Sequence, residues 1–321
     1  MAEAERKILV TGAFGQIGSE LVPALQQKHG IDHVVTLGHS NVPQDFKGIV
    51  ETGDTSNKEG LEAIVDRHNI GVVYHLVSLL SARGEENPDL TWDINMGGLK
   101  NVLDIARDRN LKVFWPSSIA VFGPTTPRDS TPQHTILEPT TMYGATKVAG
   151  ENLVRHYVLK QGVDVRSLRY PGLISWKAEP GGGTTDYAVA IFYDGLRKKE
   201  YQCFVSSDTT LPMMYMDDAI RGTIELMEAD LDFQNEGKWN SYNMAAISFA
   251  AVQLAEELKK HIPDLKVTYK PDHRQAIADS WPKSIDDSVA RAEWGWSHEF
   301  DLSKMTAIMV EKLREKFGQT K

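Results

Sequence analysis

Lys7-Ile-Leu-Val-Thr11-Gly12-Ala-Phe-Gly15-Gln-Ile-Gly18 is an apolar run that breaks into three glycines and passes into a helical pattern carried by Leu21 and Leu25 as far as His29. A strand joined to a helix in this way has a physical use. The turn is tight, no Cβ keeps the backbone away from a pyrophosphate, and the first N–H groups of the helix are available to hold it. The spacing is G-x-x-G-x-x-G rather than the commoner G-x-G-x-x-G. Clustered glycines are also ordinary turn chemistry, so the reading depends on what surrounds them.

Around them the same alternation repeats. Strand-like runs at His33–Leu37, Gly48–Thr52, Val72–Leu76, Lys112–Ser117 and Asp164–Arg169 alternate with helical stretches at Asn57–His68, Asp89–Asn110 and Thr140–Gln161. Apolar strands without polar alternation, separated by helices, predict a parallel sheet covered on both faces. Such a sheet binds ligands at the carboxyl ends of its strands. The expected fold is therefore α/β, a Rossmann-type doubly wound sheet. The second half is more mixed, with a loop by composition at Pro180–Asp186 and helices near Tyr187–Lys199, Asp218–Ala229, Phe249–His261 and Ser303–Phe317. Strand-like pieces stand at Met213–Met216, Tyr242–Ala245 and Lys266–Tyr269. We expect a dinucleotide-binding domain over 1–170, with segments near 213–245 returning to it. A smaller, mixed, mainly helical substrate domain is expected over 171–321.

Composition narrows the function. The 321 residues include 35 Lys plus Arg, 44 Asp plus Glu and 41% hydrophobic residues, for a net charge of −9. This balance excludes disordered, collagen-like and coiled-coil chains. It argues against a general nucleic-acid backbone binder. A single cysteine, Cys203, excludes a disulfide framework and cysteine-ligated clusters. The ten histidines are scattered, and no metal is expected. The longest uncharged stretch, Trp239–Ala255, is interrupted by Asn240, Ser241, Asn243, Ser248 and Gln253. A membrane span wants ~20 mostly apolar residues, so none is expected. Met1-Ala-Glu-Ala-Glu-Arg6 leads at once into the first strand, which predicts no targeting segment and a cytoplasmic location.

Tyr143-Gly-Ala-Thr-Lys147 falls on the predicted helix Thr140–Gln161, and Ser118 closes the fifth strand. Tyr and Lys four apart share one helix face. A free phenol, with a pKa of ~10, is a poor base at neutral pH. A neighbouring ammonium and a cationic nicotinamide both favour the phenolate and bring it toward a working range for proton transfer. Ser118 is placed to hydrogen-bond the oxygen of a reacting carbinol. A Tyr-x-x-x-Lys pair by itself is cheap, since many helices carry a packed Tyr beside a solvated Lys.

Together these segments resemble the extended branch of the short-chain dehydrogenase/reductase superfamily. The resemblance rests on Thr11–Gly18, Ser117-Ser118-Ile-Ala-Val-Phe-Gly123, Tyr143 with Lys147, and Met216-Asp217-Asp218-Ala-Ile-Arg221, and it runs from about residue 6 to 317. Within that branch the chain resembles the short-chain L-threonine 3-dehydrogenases, through Phe114–Pro127, Arg169–Ser175, Leu211–Tyr215, Ala278–Pro282 and, most specifically, Pro180-Gly-Gly-Gly-Thr-Thr-Asp-Tyr187. The resemblance implies NAD as cofactor, contacted by Gly12, Gly15, Gln16, Ile17, Gly18, Asp54, Leu76, Tyr143, Lys147, Tyr170, Pro171 and Ile174. It implies Ser118, Tyr143 and Lys147 as catalytic residues. Ser81, Ser118, Tyr143, Thr184 and Thr185 would hold the substrate, L-threonine, whose 3-hydroxyl is oxidised to give 2-amino-3-oxobutanoate. It also implies a homodimer paired through helices near Leu90–Asn110 and Met142–Gln161. A nucleotide-sugar epimerase uses the same triad but needs basic groups for a diphosphate. A non-catalytic NAD(P)-sensing protein of this fold would typically lose Tyr143 or Lys147. A dehydratase would want an acid after Ser118, where Ile119 stands.

One position departs from the family pattern. An acidic residue usually ends the second strand, where it accepts hydrogen bonds from the adenosine ribose and repels a 2′-phosphate. Here the segment is Thr36-Leu37-Gly38-His39-Ser40. Either other contacts hold NAD, or selectivity relaxes toward NADP with His39 and Ser40 near the phosphate. No Arg or Lys stands at hand to clamp one, which favours NAD, and Gly38→Asp is expected to sharpen that preference. Three more polar residues have plain alternatives. Asp54 would meet the adenine amino group or cap the next helix. Ser81 lies in a loop on the substrate side. Asn95 would order a water near the site, or simply be solvated on its helix.

Overall fold

The computed structural model describes residues 6–39, 42–233 and 239–319. Twelve strands are β1 (Lys7–Thr11), β2 (Val34–Gly38), β3 (Ile49–Thr52), β4 (Ile70–His75), β5 (Lys112–Ser118), β6 (Val165–Tyr170), β7 (Gly172–Ile174), β8 (Glu200–Cys203), β9 (Thr210–Tyr215), β10 (Ser241–Asn243), β11 (Ile247–Ala250) and β12 (Lys266–Tyr269). Seven of them form one parallel sheet in the order β10-β6-β5-β4-β1-β2-β3. All five residues of β2 are buried, as a strand covered on both faces requires, whereas β3 at the edge is half-exposed.

The helices of the first half are α1 (Gly18–His29), α2 (Lys58–Arg67), α3 (Ser81–Glu86), α4 (Pro88–Trp92), α5 (Gly98–Arg109) and α6 (Met142–Gln161). The chain runs from β1 outward through β2 and β3, then returns to place β4 on the other side of β1. The strand order therefore reverses between β1 and β4, where Thr11 pairs with His75. A crevice opens at such a switch point, at the carboxyl ends of the strands.

The second half contains α7 (Tyr187–Lys198), α8 (Met216–Glu228), α9 (Ala251–Lys259), α10 (Arg274–Asp279), α11 (Ser288–Trp294) and α12 (Leu302–Lys316). Its strands form a mixed sheet in the order β11-β9-β7 and a parallel pair, β12 with β8. The Met213–Met216 segment thus belongs to the small sheet, while β10, from the Tyr242–Ala245 piece, joins the large one. A second apolar core packs Phe192 of α7, Leu258 of α9 and Met309 of α12 together, separate from the core around Leu9, Val35 and Phe114. Among the described residues no helix is long and apolar enough to cross a membrane.

Two expectations needed revision. The single helix expected over Asp89–Asn110 is α4 and α5 joined by one π-helical turn, Asp93–Gly97, with the short α3 ahead of it. The strands β7, β8 and β11 and the helices α10 and α11 had no clear sequence signal. Each is only three to seven residues long, too short to show a period.

Candidate active site

The turn between β1 and α1 has the shape that its glycines require. Gly12 sits at φ +69°, and a Cβ there would lie 3.1 Å from the backbone of Leu76 and Val77. A Cβ on Gly18 would stand 2.4 Å from the Gly12 carbonyl oxygen, so only glycine lets α1 close this tightly on the turn. Ile17, at the N-cap of α1, makes no side-chain capping bond. Ser19 N and Glu20 N already donate to the Gly15 and Ile17 carbonyls, so it is the N–H groups ahead of them, near Gln16 to Gly18, that would take an anion, and the arrangement fits the pyrophosphate of a dinucleotide. Gly12, Gly15, Gly38, Asp54 and Leu76 line a cavity of about 500 Å³ beside this turn. Leu76 also lines a second, smaller cavity, of about 140 Å³, together with Gln16, Ile17, Tyr170 and Pro171. Ile174 is different. It is fully buried in the second core and lines neither cavity.

Ser118, Tyr143 and Lys147 meet in the smaller cavity. Strand alternation decides which serine of the Ser117-Ser118 pair serves it. Ser117 turns inward and donates to Glu151 Oε1 at 2.6 Å, whereas the Ser118 hydroxyl faces the Tyr143 phenol and lowers its pKa. Thr141 caps α6 by accepting from Gly144 N at 3.1 Å, which fixes the first turn carrying Tyr143. Lys147 Nζ donates to the Pro116 carbonyl at 2.7 Å and stands 4.7 Å from the Trp115 ring and 5.4 Å from the Tyr143 ring. The electrostatics differ from the sequence expectation. Burial pushes the Tyr143 phenol up to about 12, against a lowering by the Ser118 hydrogen bond. Burial also brings the Lys147 ammonium down to about 7, against a raising by Glu151. For both groups desolvation outweighs the opposing interaction, with Ser118 for the phenol and with Glu151 for the ammonium.

The proposed substrate residues converge from distant segments. Ser81, opening α3, lies 3.4 Å from Thr184, hydroxyl to hydroxyl, and Thr185 lines the same cavity. Asp186 and Trp281 line it too, and sequence reasoning gave neither a role. Asp186 Oδ2 accepts from Gly182 N and Gly183 N, each at 2.8 Å, and so latches the glycine run. The Asp in Pro-Gly-Gly-Gly-Thr-Thr-Asp was the available signal, since a short acidic side chain after glycines commonly closes a turn on their N–H groups.

Asn95 is buried rather than solvated. Buried on the π turn, its Oδ1 accepts from Leu79 N at 2.8 Å, and its Nδ2 donates to Leu79 O and to Thr146 Oγ1. It pins the loop after β4 against α6. Asp54 does not cap α2, whose N-cap is Asn57 accepting from Gly60 N at 3.1 Å. Instead Asp54 accepts from Ser56 N at 2.8 Å, the principal cause of its lowered carboxyl pKa, and it lines the larger cavity. Gly38 and His39 line that cavity as well, and Ser40 lies outside the described residues.

Comparison with known proteins gives a consistent picture. The profile of the NAD-dependent epimerase/dehydratase family matches residues 8–245. An uncharacterized epimerase/dehydratase of Staphylococcus haemolyticus is 48% identical over 97% of this chain and 98% of its own. A monomeric L-threonine 3-dehydrogenase from a metagenome, in its apo form, superposes with a TM-score of 0.92 at 51% identity, covering 96% of this chain and 99% of that one. The holo form of a GalE-like L-threonine dehydrogenase from Cupriavidus necator gives a TM-score of 0.93, also at 51% identity and with the same coverage.

Proposed function

The chain belongs to the NAD-dependent epimerase/dehydratase family, as an extended short-chain dehydrogenase with NAD as its cofactor, and from that premise we propose that it oxidises the 3-hydroxyl of L-threonine to 2-amino-3-oxobutanoate. The observation that carries this reading is the small cavity itself, where Ser118, Tyr143 and Lys147 face the Ser81–Thr184 pair and Asp186. Among the described residues its lining contains one lysine and no arginine, a poor match to the basic groups that a sugar diphosphate needs. The hydroxyls of Ser81, Thr184 and Thr185 are suited to a carboxylate, and the methyl group needs only a small apolar wall.

In this reading Tyr143 accepts the proton of the 3-hydroxyl, and Ser118 holds the same oxygen by a hydrogen bond as it becomes a carbonyl. Bound NAD supplies the acceptor for the C3 hydride. Lys147, fixed by the Pro116 carbonyl, stabilises the charge on Tyr143 and hydrogen-bonds the nicotinamide ribose. Asn95 and Asp186 hold the two loops that frame the pocket. Gly12, Gly15 and Gly18, with the N–H groups near Gln16 and Ile17, take the pyrophosphate, and Asp54 takes the adenine side. Pairing of two copies through the outer faces of α5 and α6 is part of the same proposal.

Formation of NADH, followed by its absorbance, tests the assignment. L-Threonine is expected to be oxidised, other 3-hydroxy amino acids weakly, and 3-hydroxybutyrate hardly at all. The last lacks the ammonium, and an unfilled buried polar partner costs ~1–3 kcal/mol, or roughly five- to a hundredfold. Thr185→Ala should raise KM for threonine more than KM for NAD. Equal activity on 3-hydroxybutyrate, or turnover of a UDP-hexose with none on threonine, would overturn the substrate and leave the fold untouched.

A further inference from the structure

Gly38 ends β2 at the position where the ribose of the adenosine half is usually met by an acid. It is buried, and the reason lies in the glycine turn. A Cβ added at Gly38 would stand 2.7 Å from both Cδ2 and Cε2 of Phe14. The Phe14 ring therefore occupies the space into which any side chain at position 38 would grow. It is held there edge-on by Phe46, with centroids 5.1 Å apart and planes at 84°. Phe14 and Gly38 both line the larger cavity, beside His39 and Asp54. Asp54 is the one carboxylate in that lining, and its Oδ1 is engaged by Ser56 N at 2.8 Å. Among the described residues the lining holds no Lys or Arg.

We propose that Phe14 is the residue that sets cofactor selectivity in this protein, by excluding a carboxylate from the end of β2, so that a dinucleotide phosphorylated on its adenosine ribose binds within tenfold of NAD. The physical argument has two sides. Without the acid, the 2′-hydroxyl loses a charge-assisted acceptor, a contact that is otherwise worth roughly ten- to a hundredfold in affinity. Without it, nothing at the strand end repels a 2′-phosphate either. An aromatic ring gives the hydroxyl no hydrogen bond and gives the phosphate no cation, so both cofactors rely on the pyrophosphate turn that they share. The remaining preference for NAD comes from the lack of a lysine or arginine among the described lining residues, and is small because no carboxylate at the strand end repels the phosphate.

This inference concerns the cofactor alone and stands whichever alcohol is oxidised. Titration calorimetry on the full chain, with NAD and NADP and no alcohol present, reads it directly. The expected ratio of the two Kd values is below ten, and a ratio above ten overturns the proposal. Contrary to the expectation from sequence that Gly38→Asp sharpens the NAD preference, the Phe14 ring stands in the way, so this variant alone is expected to lower the thermal midpoint, because the ring must move, and to leave the ratio within threefold of the wild-type value. The double variant Phe14→Ser/Gly38→Asp frees the space for the acid and should raise the ratio at least tenfold. An unchanged ratio in a folded double variant would show that position 38 does not face the ribose, and would equally overturn the proposal. The wild-type measurement decides by itself if the variants do not fold.

Discussion

Tyr143→Phe is expected to lower kcat by ~10²–10⁴-fold, the usual contribution of a positioned acid–base group, while leaving the affinity for NADH unchanged. The substitution keeps the ring and its packing and deletes one oxygen. Ser118 loses its hydrogen bond to the phenol but keeps the one it accepts from Ala120 N at 3.2 Å, so the fold is not expected to suffer. Stopped-flow turnover and fluorescence titration of NADH separate the two effects. Retention of most of the wild-type kcat would remove Tyr143 from the mechanism. Lys147→Met should behave differently, harming turnover and NADH affinity together, since one ammonium serves both the tyrosine and the ribose. A variant that lost turnover alone would restrict Lys147 to the chemistry.

Arg169→Met is expected to cost ~3–5 kcal/mol of stability, the range for removing one partner of a buried ion pair. Arg169 and Glu151 are each 7% exposed and joined by two parallel bonds, Nε to Oε1 at 2.8 Å and Nη2 to Oε2 at 2.7 Å. Ser117 adds a third bond to the same carboxylate. Arg169 Nη1 donates further to the Gln133 carbonyl at 2.9 Å and to Asn243 Oδ1 at 3.1 Å. One guanidinium thus ties α6 to β6, β10 and the segment before α6, one helical turn from Lys147. Removing it leaves a buried carboxylate whose remaining donor, among the described residues, is the Ser117 hydroxyl. The double variant Glu151→Gln/Arg169→Met should recover part of the loss, because the uncompensated charge is gone. Urea unfolding of the single and double variants measures both numbers. A loss under about 1 kcal/mol, the range of exposed pairs, would show that water reaches the carboxylate.

Neither partner of that pair stood out in the sequence, and the contrast with the glycine turn is instructive. Gly12 and Gly18 are imposed by conformation and close approach within one short segment, so their spacing announces the turn before any tertiary contact is known. The helical spacing of Tyr143 and Lys147 places them on one face, but such pairs are common and only the family resemblance singles this one out. An Arg in a strand and a Glu in a helix carry no such signature. Their meaning depends on β6 lying beside α6, a pairing across 18 residues of sequence.

By itself the sequence determined the alternation of strand and helix in the first half and the glycine turn, because each follows from periodicity or from a local backbone demand, while the Ser118, Tyr143 and Lys147 set was named through the resemblance to extended short-chain dehydrogenases. Only the tertiary structure decided how separated segments share space. It brought Ser81 within 3.4 Å of Thr184, latched Gly182 and Gly183 onto Asp186, and drew Asn95 onto Leu79 through a π turn. It also set the Phe14 ring where the family usually carries a carboxylate and raised the Tyr143 phenol where a lowering was expected. Both of those outcomes are matters of burial. The free energy of a charge depends on how much water and protein surround it in three dimensions, a quantity that no spacing along the chain encodes.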